Sequence, residues 1–229
     1  MAFSFSPRAV TDGLILNLDA ANSRSYVSGS TTWADLSRSN NNSTLTNGPT
    51  FNSANGGSIV FDGVDDFVLS THPTTNIFSS LTSYTVSFWI RVTSYGGNGS
   101  VLLSATGSNN LFMQVQSGSA YIGTLGSPNN FLTLTTNDIG NISLNKISNI
   151  VWVKNSTTAL FYLNGTQYTF PGSATFTFTG LDRTINIGKY TSSGFNLPGN
   201  IYNMSVYNKA LTATEILQNY NSLKTRFGL

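Results

Sequence analysis

Apolar side chains recur at every second position through most of this 229-residue chain. That period belongs to strands with one buried face; a helix would need spacings of three and four. Leu14, Leu16 and Leu18 alternate with Ile15, Asn17 and Asp19. Val86, Phe88, Ile90 and Val92 alternate with Thr85, Ser87, Trp89 and Arg91. Similar runs cover 58–62, 66–70, 100–105, 111–116, 120–125, 131–135, 149–154, 159–163, 167–170, 184–188 and 201–207. β-Branched and aromatic residues dominate them. Leu163-Asn164-Gly165-Thr166 is the clearest hairpin signal, because Asn-Gly accepts the positive φ angles of a type I′ turn.

One segment breaks the period. Thr212-Ala213-Thr214-Glu215 has the spacing of a capping box, in which the Thr hydroxyl and the Glu carboxylate each satisfy an orphan amide. Ile216, Tyr220 and Leu223 follow at helical spacing, so a short amphipathic helix is predicted over 213–224. The expected organisation is an N-terminal arm, 1–12, and a single all-β domain, 13–229.

Composition narrows the partners. Charged residues make up only 9%, against about 25% in ordinary globular chains. Ser, Thr and Asn take their place, so hydroxyls and amides keep the surface wet. The net charge is +2 with no basic run, which excludes a phosphate backbone as ligand. There is no cysteine, hence no thiol nucleophile and no cysteine metal site. The first residues, Met1–Arg8, lack the pattern of a Sec signal peptide, and no apolar run is long enough for membrane insertion.

Several runs resemble the concanavalin A-like lectin/glucanase superfamily in its laminin-G-like form. They are Gly13–Ala20, Trp33-Ala34-Asp35-Leu36-Ser37, Ser58–Val68, Tyr84–Trp89, Phe161–Gly165, Ile185–Gly188 and Gly199–Thr212. The resemblance implies a jelly roll of two antiparallel sheets with the first and last strands adjacent. With the periodicity, the expected fold is an all-β, two-sheet antiparallel jelly-roll sandwich with one short C-terminal amphipathic helix. The wording also resembles modules of marine phage structural proteins, which implies location on a virion, the surface of an extracellular particle.

Asp62, Asp65 and Asp66 form the densest acidic group. Hard cations take several oxygen ligands, and the resemblance implies a structural calcium here. The other reading is local turn chemistry, with the Asp carboxylates bonding nearby amides. Asn109 and Asn110 lie where a pentraxin-like relative would carry calcium ligands, but without a carboxylate, and asparagines also simply favour turns. Tyr95, Asn98, Asn109, Asn110 and Tyr121 are the candidate ligand contacts. Trp33 reads as a structural plug, while Trp89 and Trp152 point opposite to their strand neighbours, toward either the core or an open sheet face. His72 is the only histidine.

Catalysis has little to stand on. Retaining glycoside hydrolysis needs two carboxyl groups about 5 Å apart. The superfamily's glucanases use a Glu-x-Asp-x-x-Glu strand, whereas the only glutamate here, Glu215, belongs to the helix cap. The expectation is a non-catalytic binding or adhesion module of a virion, as capsid decoration or beside a tail fibre, contacting cell-surface glycan or other virion proteins. The alternative is a purely structural, self-associating virion subunit. Phe3 and Phe5, on alternate positions of the arm, are the candidate partner contacts.

Overall fold

The computed structural model describes residues 8–71, 81–95, 99–105, 110–125, 130–139, 142–156, 158–170, 184–190 and 194–229. Strands β1 (Leu14–Asp19), β2 (Thr32–Trp33), β3 (Ser43–Thr46) and β4 (Thr50–Asn52) come first. They are followed by β5 (Ser58–Asp62), β6 (Phe67–Thr71), β7 (Ser83–Val92) and β8 (Ser100–Ala105). Next are β9 (Asn110–Gln116), β10 (Ser119–Leu125), β11 (Asn130–Leu134) and a helical turn, α1 (Thr136–Ile139). The chain ends with β12 (Ser148–Asn155), β13 (Thr158–Leu163), β14 (Thr166–Thr169), β15 (Thr184–Ile187), β16 (Pro198–Tyr207) and helix α2 (Ala213–Leu223).

Two antiparallel sheets result. The first runs β14-β13-β12-β7-β16-β5-β4, with β1 also paired to β16. The second runs β11-β10-β9-β8-β15-β6-β3-β2. The first and last strands are neighbours, as the jelly roll requires. A bulge between Ile201 and Asn203 lets β16 serve two partners on one edge, β5 along its first half and β1 along its second. Asn164 and Gly165 take φ of 52° and 81°, which closes the β13–β14 hairpin as the Asn-Gly pair predicts.

The interior lies between the sheets. Tyr84, Val86, Phe88, Ile90 and Val92 of β7 face it, together with Trp33, Trp152 and Phe161. Trp152 meets Phe88 and Phe161 edge to face, with centroids 6.3 and 5.5 Å apart. Strands β2, β3 and β4 escape the periodicity reading because they are short and carry one apolar residue each (Trp33, Leu45 and Phe51) among Ser, Thr and Asn. They are nonetheless held by pairing, with Ser43 opposite Trp33 and Ser70.

Helix α2 carries the expected capping box: the Thr212 hydroxyl accepts from the Glu215 amide, and the Glu215 carboxylate accepts from the Thr212 amide at 2.8 Å. The described part of the N-terminal segment lies along this helix. The Val10 amide donates to Asn219 at 2.7 Å, and the Val10 carbonyl accepts from the Tyr207 hydroxyl at 3.0 Å. Burial pushes that Tyr207 hydroxyl up to about 12. Phe3 and Phe5 lie outside the described residues, as does His72.

Candidate functional site

The outer sides of the two sheets differ, and the difference decides where a ligand can sit. On the first sheet, β7 turns Thr85, Ser87, Trp89 and Arg91 outward. Sequence left open which sheet surface is bare; this one is not. Helix α2 and the tail after it lie across it. Trp89, 1% exposed, stacks on Tyr220 at 5.5 Å with planes 6° apart, and Phe227 sits 4.6 Å from it. Val151, Val153, Tyr162, Tyr207, Leu211 and Ile216 form a second apolar cluster beneath the same cover. Arg226 latches the tail, donating to the carbonyls of Asn55 and Gly57 and pairing with Asp19 at 2.8 Å. Trp33, Trp89 and Trp152 are therefore all buried, and none offers a platform to a ligand.

The second sheet turns a different face outward. Phe112 of β9, Val101 of β8 and Tyr190 gather there, with Tyr121 of β10 and Phe195 packed at their margin and half-exposed. Tyr190 meets Phe112 and Phe195 edge to face at 6.5 and 5.7 Å. The strand registers place Leu69, Asn186, Ser104 and Phe112 in one row across four strands. Beside it Val101, Gln114, Tyr121 and Thr133 form a second row. Lys189 holds its ammonium over the Phe67 ring at 4.8 Å. The face thus combines rings, amides and hydroxyls around a single cation, among the described residues.

The ligand contacts expected from sequence separate in space. Tyr121 is on this outer face. Tyr95 instead packs against the core between the sheets and donates its hydroxyl to the Ile142 carbonyl, so it pins the chain. Asn110 begins β9. Asn98 and Asn109 lie outside the described residues. Phe112, Phe195 and Asn186 were not singled out from sequence, whereas Tyr190 was among the tyrosines that could stack on a sugar ring. Phe112 and Asn186 have one signal available, since each alternates with core residues (Leu111 and Met113; Ile185 and Ile187) and so must face outward.

The acidic turn is a compact cluster. One carboxylate oxygen from each of Asp62, Asp65 and Asp66 lies within 4.8 Å of the others. The turn chemistry is also present: Asp62 accepts from the Val64 amide at 2.7 Å, and Asp66 accepts from the Asp62 amide at 3.0 Å. Asp66 is 5% exposed, and its pKa is raised, first by burial and further by the two neighbouring carboxylates. The ion pairs among the described residues use Asp12, Asp19 and Glu215, so none of these pairs offsets this cluster. Nearby, the Asn196 carboxamide donates to the Val64 carbonyl, while its buried Oδ1 has no partner among the described residues. Three carboxylates this close make a donor set that suits calcium. Glu215 is remote in role: it caps α2 and pairs with Lys209 at 2.8 Å, which lowers its pKa.

A family model described as the concanavalin A-like lectin/glucanases superfamily, of laminin-G type, matches residues 61–217, well over half of the chain. The chain belongs to this family. No curated protein sequence matches the concanavalin A-like chain. Among solved structures, its fold is similar to the binding domain of botulinum neurotoxin serotype D, with a TM-score of 0.71 at 17% identity over 92% of this chain. It is similar also to the neurotoxin DC binding domain in complex with rat synaptotagmin II, with a TM-score of 0.73 at 18% identity over 93% of this chain. The chain spans only 52% of each of those domains. A third similar structure is domain 4 of a GH43 extracellular arabinanase from Geobacillus stearothermophilus, in complex with arabinotriose. There the TM-score is 0.70 at 14% identity, covering 92% of this chain and 100% of that one.

Proposed function

We propose that this chain is a non-catalytic binding module whose ligand face is the outer side of the second sheet, and that its ligand is a surface glycan. One observation carries the reading: helix α2 and its tail cover the first sheet, while on the second sheet's outer side two rings, Tyr121 and Phe195, stay half-exposed at the margin of an otherwise buried aromatic cluster. Tyr121 and Phe195 lie at the margin of that cluster, where a sugar ring can stack. The arabinanase domain with its arabinotriose and the toxin binding domains support a binding role for such a scaffold. The acidic cluster does not favour a hydrolase. It sits on a turn beside Val64, whose side chain is 70% exposed, and two of the three carboxylates are themselves exposed. The test is titration of the intact protein with oligosaccharides by calorimetry or amide chemical shifts. Binding that Tyr121→Ala weakens is expected, and sugar cleavage or unweakened binding would overturn the reading.

We propose in addition that Asp62, Asp65 and Asp66 hold a structural calcium ion, whose charge would relieve the mutual repulsion of the three carboxylates and stiffen the turn. A place on a virion surface remains our proposal from composition and wording. Few charges and weak individual contacts suit display in many copies. Mass spectrometry of purified particles tests it.

A further inference from the structure

Asn186 stands in the middle of the second sheet with its side chain on the outer face, between Leu69 on β6 and Ser104 on β8. It is only 8% exposed. No hydrogen bond engages its carboxamide among the described residues, and the amide is not among their fully enclosed unpaired polar atoms, so what exposure the residue keeps leaves the amide open to solvent or ligand. Its neighbours do not need it. The Ser104 hydroxyl already donates to the Lys189 carbonyl at 2.8 Å, and the Lys189 ammonium rests over the Phe67 ring. Compare Asn149, Asn200 and Asn203 on the first sheet, each buried more deeply, at 2, 2 and 4% exposed, and each bonded to a neighbouring strand. Those three asparagines tie strands together, whereas Asn186 makes no such tie among the described residues.

We infer that Asn186 is the specificity-determining residue of the ligand face, and that it reads two adjacent hydroxyls of a neutral saccharide. A carboxamide presents an acceptor oxygen and an N–H donor side by side, which matches a vicinal diol whose hydroxyls both donate and accept. The surroundings fit the same class. Leu69, half-buried beside the Lys189-capped ring of Phe67, supplies an apolar floor for the C–H side of a sugar ring, and Thr44 and Thr46 place hydroxyls at its edge. Among the described residues no carboxylate belongs to this strip, and its one cation is engaged with an aromatic ring. An amide-bearing peptide offers the same donor and acceptor pair but not the hydroxyl-fringed ring.

The inference rests on the proposed ligand face, and the experiment separates the two. The intact protein is titrated with arabinotriose, cellotriose and mannotriose, and with an uncharged tripeptide, by calorimetry. The wild type is expected to bind at least one trisaccharide in preference to the peptide. Asn186→Leu, close in shape, is expected to weaken that binding about tenfold or more, because the bound hydroxyls lose their partner. Its melting temperature should stay the same or rise, since an unbonded amide leaves the sheet. Asn186→Ala, which cannot crowd the strand, should give the same loss of binding. Full affinity in both Asn186 variants with loss in Tyr121→Ala overturns this inference and leaves the ligand face standing. A lower melting temperature in Asn186→Leu, or preference for the peptide, also overturns it. If the wild type binds no saccharide, both readings fall.

Discussion

Replacing Trp89 by alanine tests which sheet surface is closed. The indole is 1% exposed and lies between two rings, Tyr220 at 5.5 Å and Phe227 at 4.6 Å, with Tyr202 closing on Phe227 from β16 at 5.2 Å. Truncating a buried Trp costs about 3–5 kcal/mol, because the cavity collapses only in part. A domain of this size loses about 2–4 °C per kcal/mol, so the melting temperature should fall by about 6–20 °C. Urea unfolding followed by circular dichroism measures the change. Trp33 and Trp152, both in the main core, still report tertiary structure by fluorescence. Adding Tyr220→Ala in a double-mutant cycle should show a coupling of about 0.5–1.5 kcal/mol for the stacked pair. Ligand affinity, measured well below the melting temperature, should not change. A Trp89→Ala loss within about 0.5 kcal/mol, the usual range for an exposed site, would refute the claim that α2 seals this face. The first sheet would then compete as the ligand surface.

Three further outcomes are expected. Millimolar calcium should raise the melting temperature, by about 2.7 kcal/mol of stability at a hundredfold excess over Kd, with no response in Asp66→Asn; an equal response of the two proteins, or none in either, contradicts the site. Without calcium, the raised pKa of Asp66 makes its contribution to stability greatest below the ordinary Asp range and lost as pH rises through the folded value, while the lowered pKa of Glu215 gives stability above the ordinary Glu range that is lost as pH falls. Glu215→Gln keeps a capping side chain but loses the Lys209 pair, so urea midpoints from pH 7 to pH 3 should fall less steeply in the variant than in the wild type. Asp35→Ala should cost about 3 kcal/mol by urea unfolding, because hydrogen bonds to a charged acceptor are the strong ones. The Asp35 carboxylate accepts from the amides of Asn17, Ser37 and Asn41 at 2.8 Å each and from the Ser37 hydroxyl at 2.6 Å, so a loss under about 0.5 kcal/mol would show that it does not hold this turn together.

Local patterning was enough for the sandwich. Alternation in β7, β9 and β12 states which residues share a face, the Asn164-Gly165 pair states where a hairpin closes, and Thr212 to Glu215 states where a helix begins. Each depends on neighbours a few residues apart, so each is written along the chain. Such patterns do not say which face is covered. Trp89 and Phe112 both alternate with core residues and look alike in sequence. One lies beneath a helix contributed from more than a hundred residues away, and the other lies on the opposite sheet's outer side, buried against Tyr190. Asn186 is the same case: its outward direction follows from Ile185 and Ile187, but its lack of a partner among the described residues depends on what β6, β8 and the Lys189 segment bring beside it. Alternation assigns a side chain to a face; only long-range packing decides whether that face meets protein or ligand.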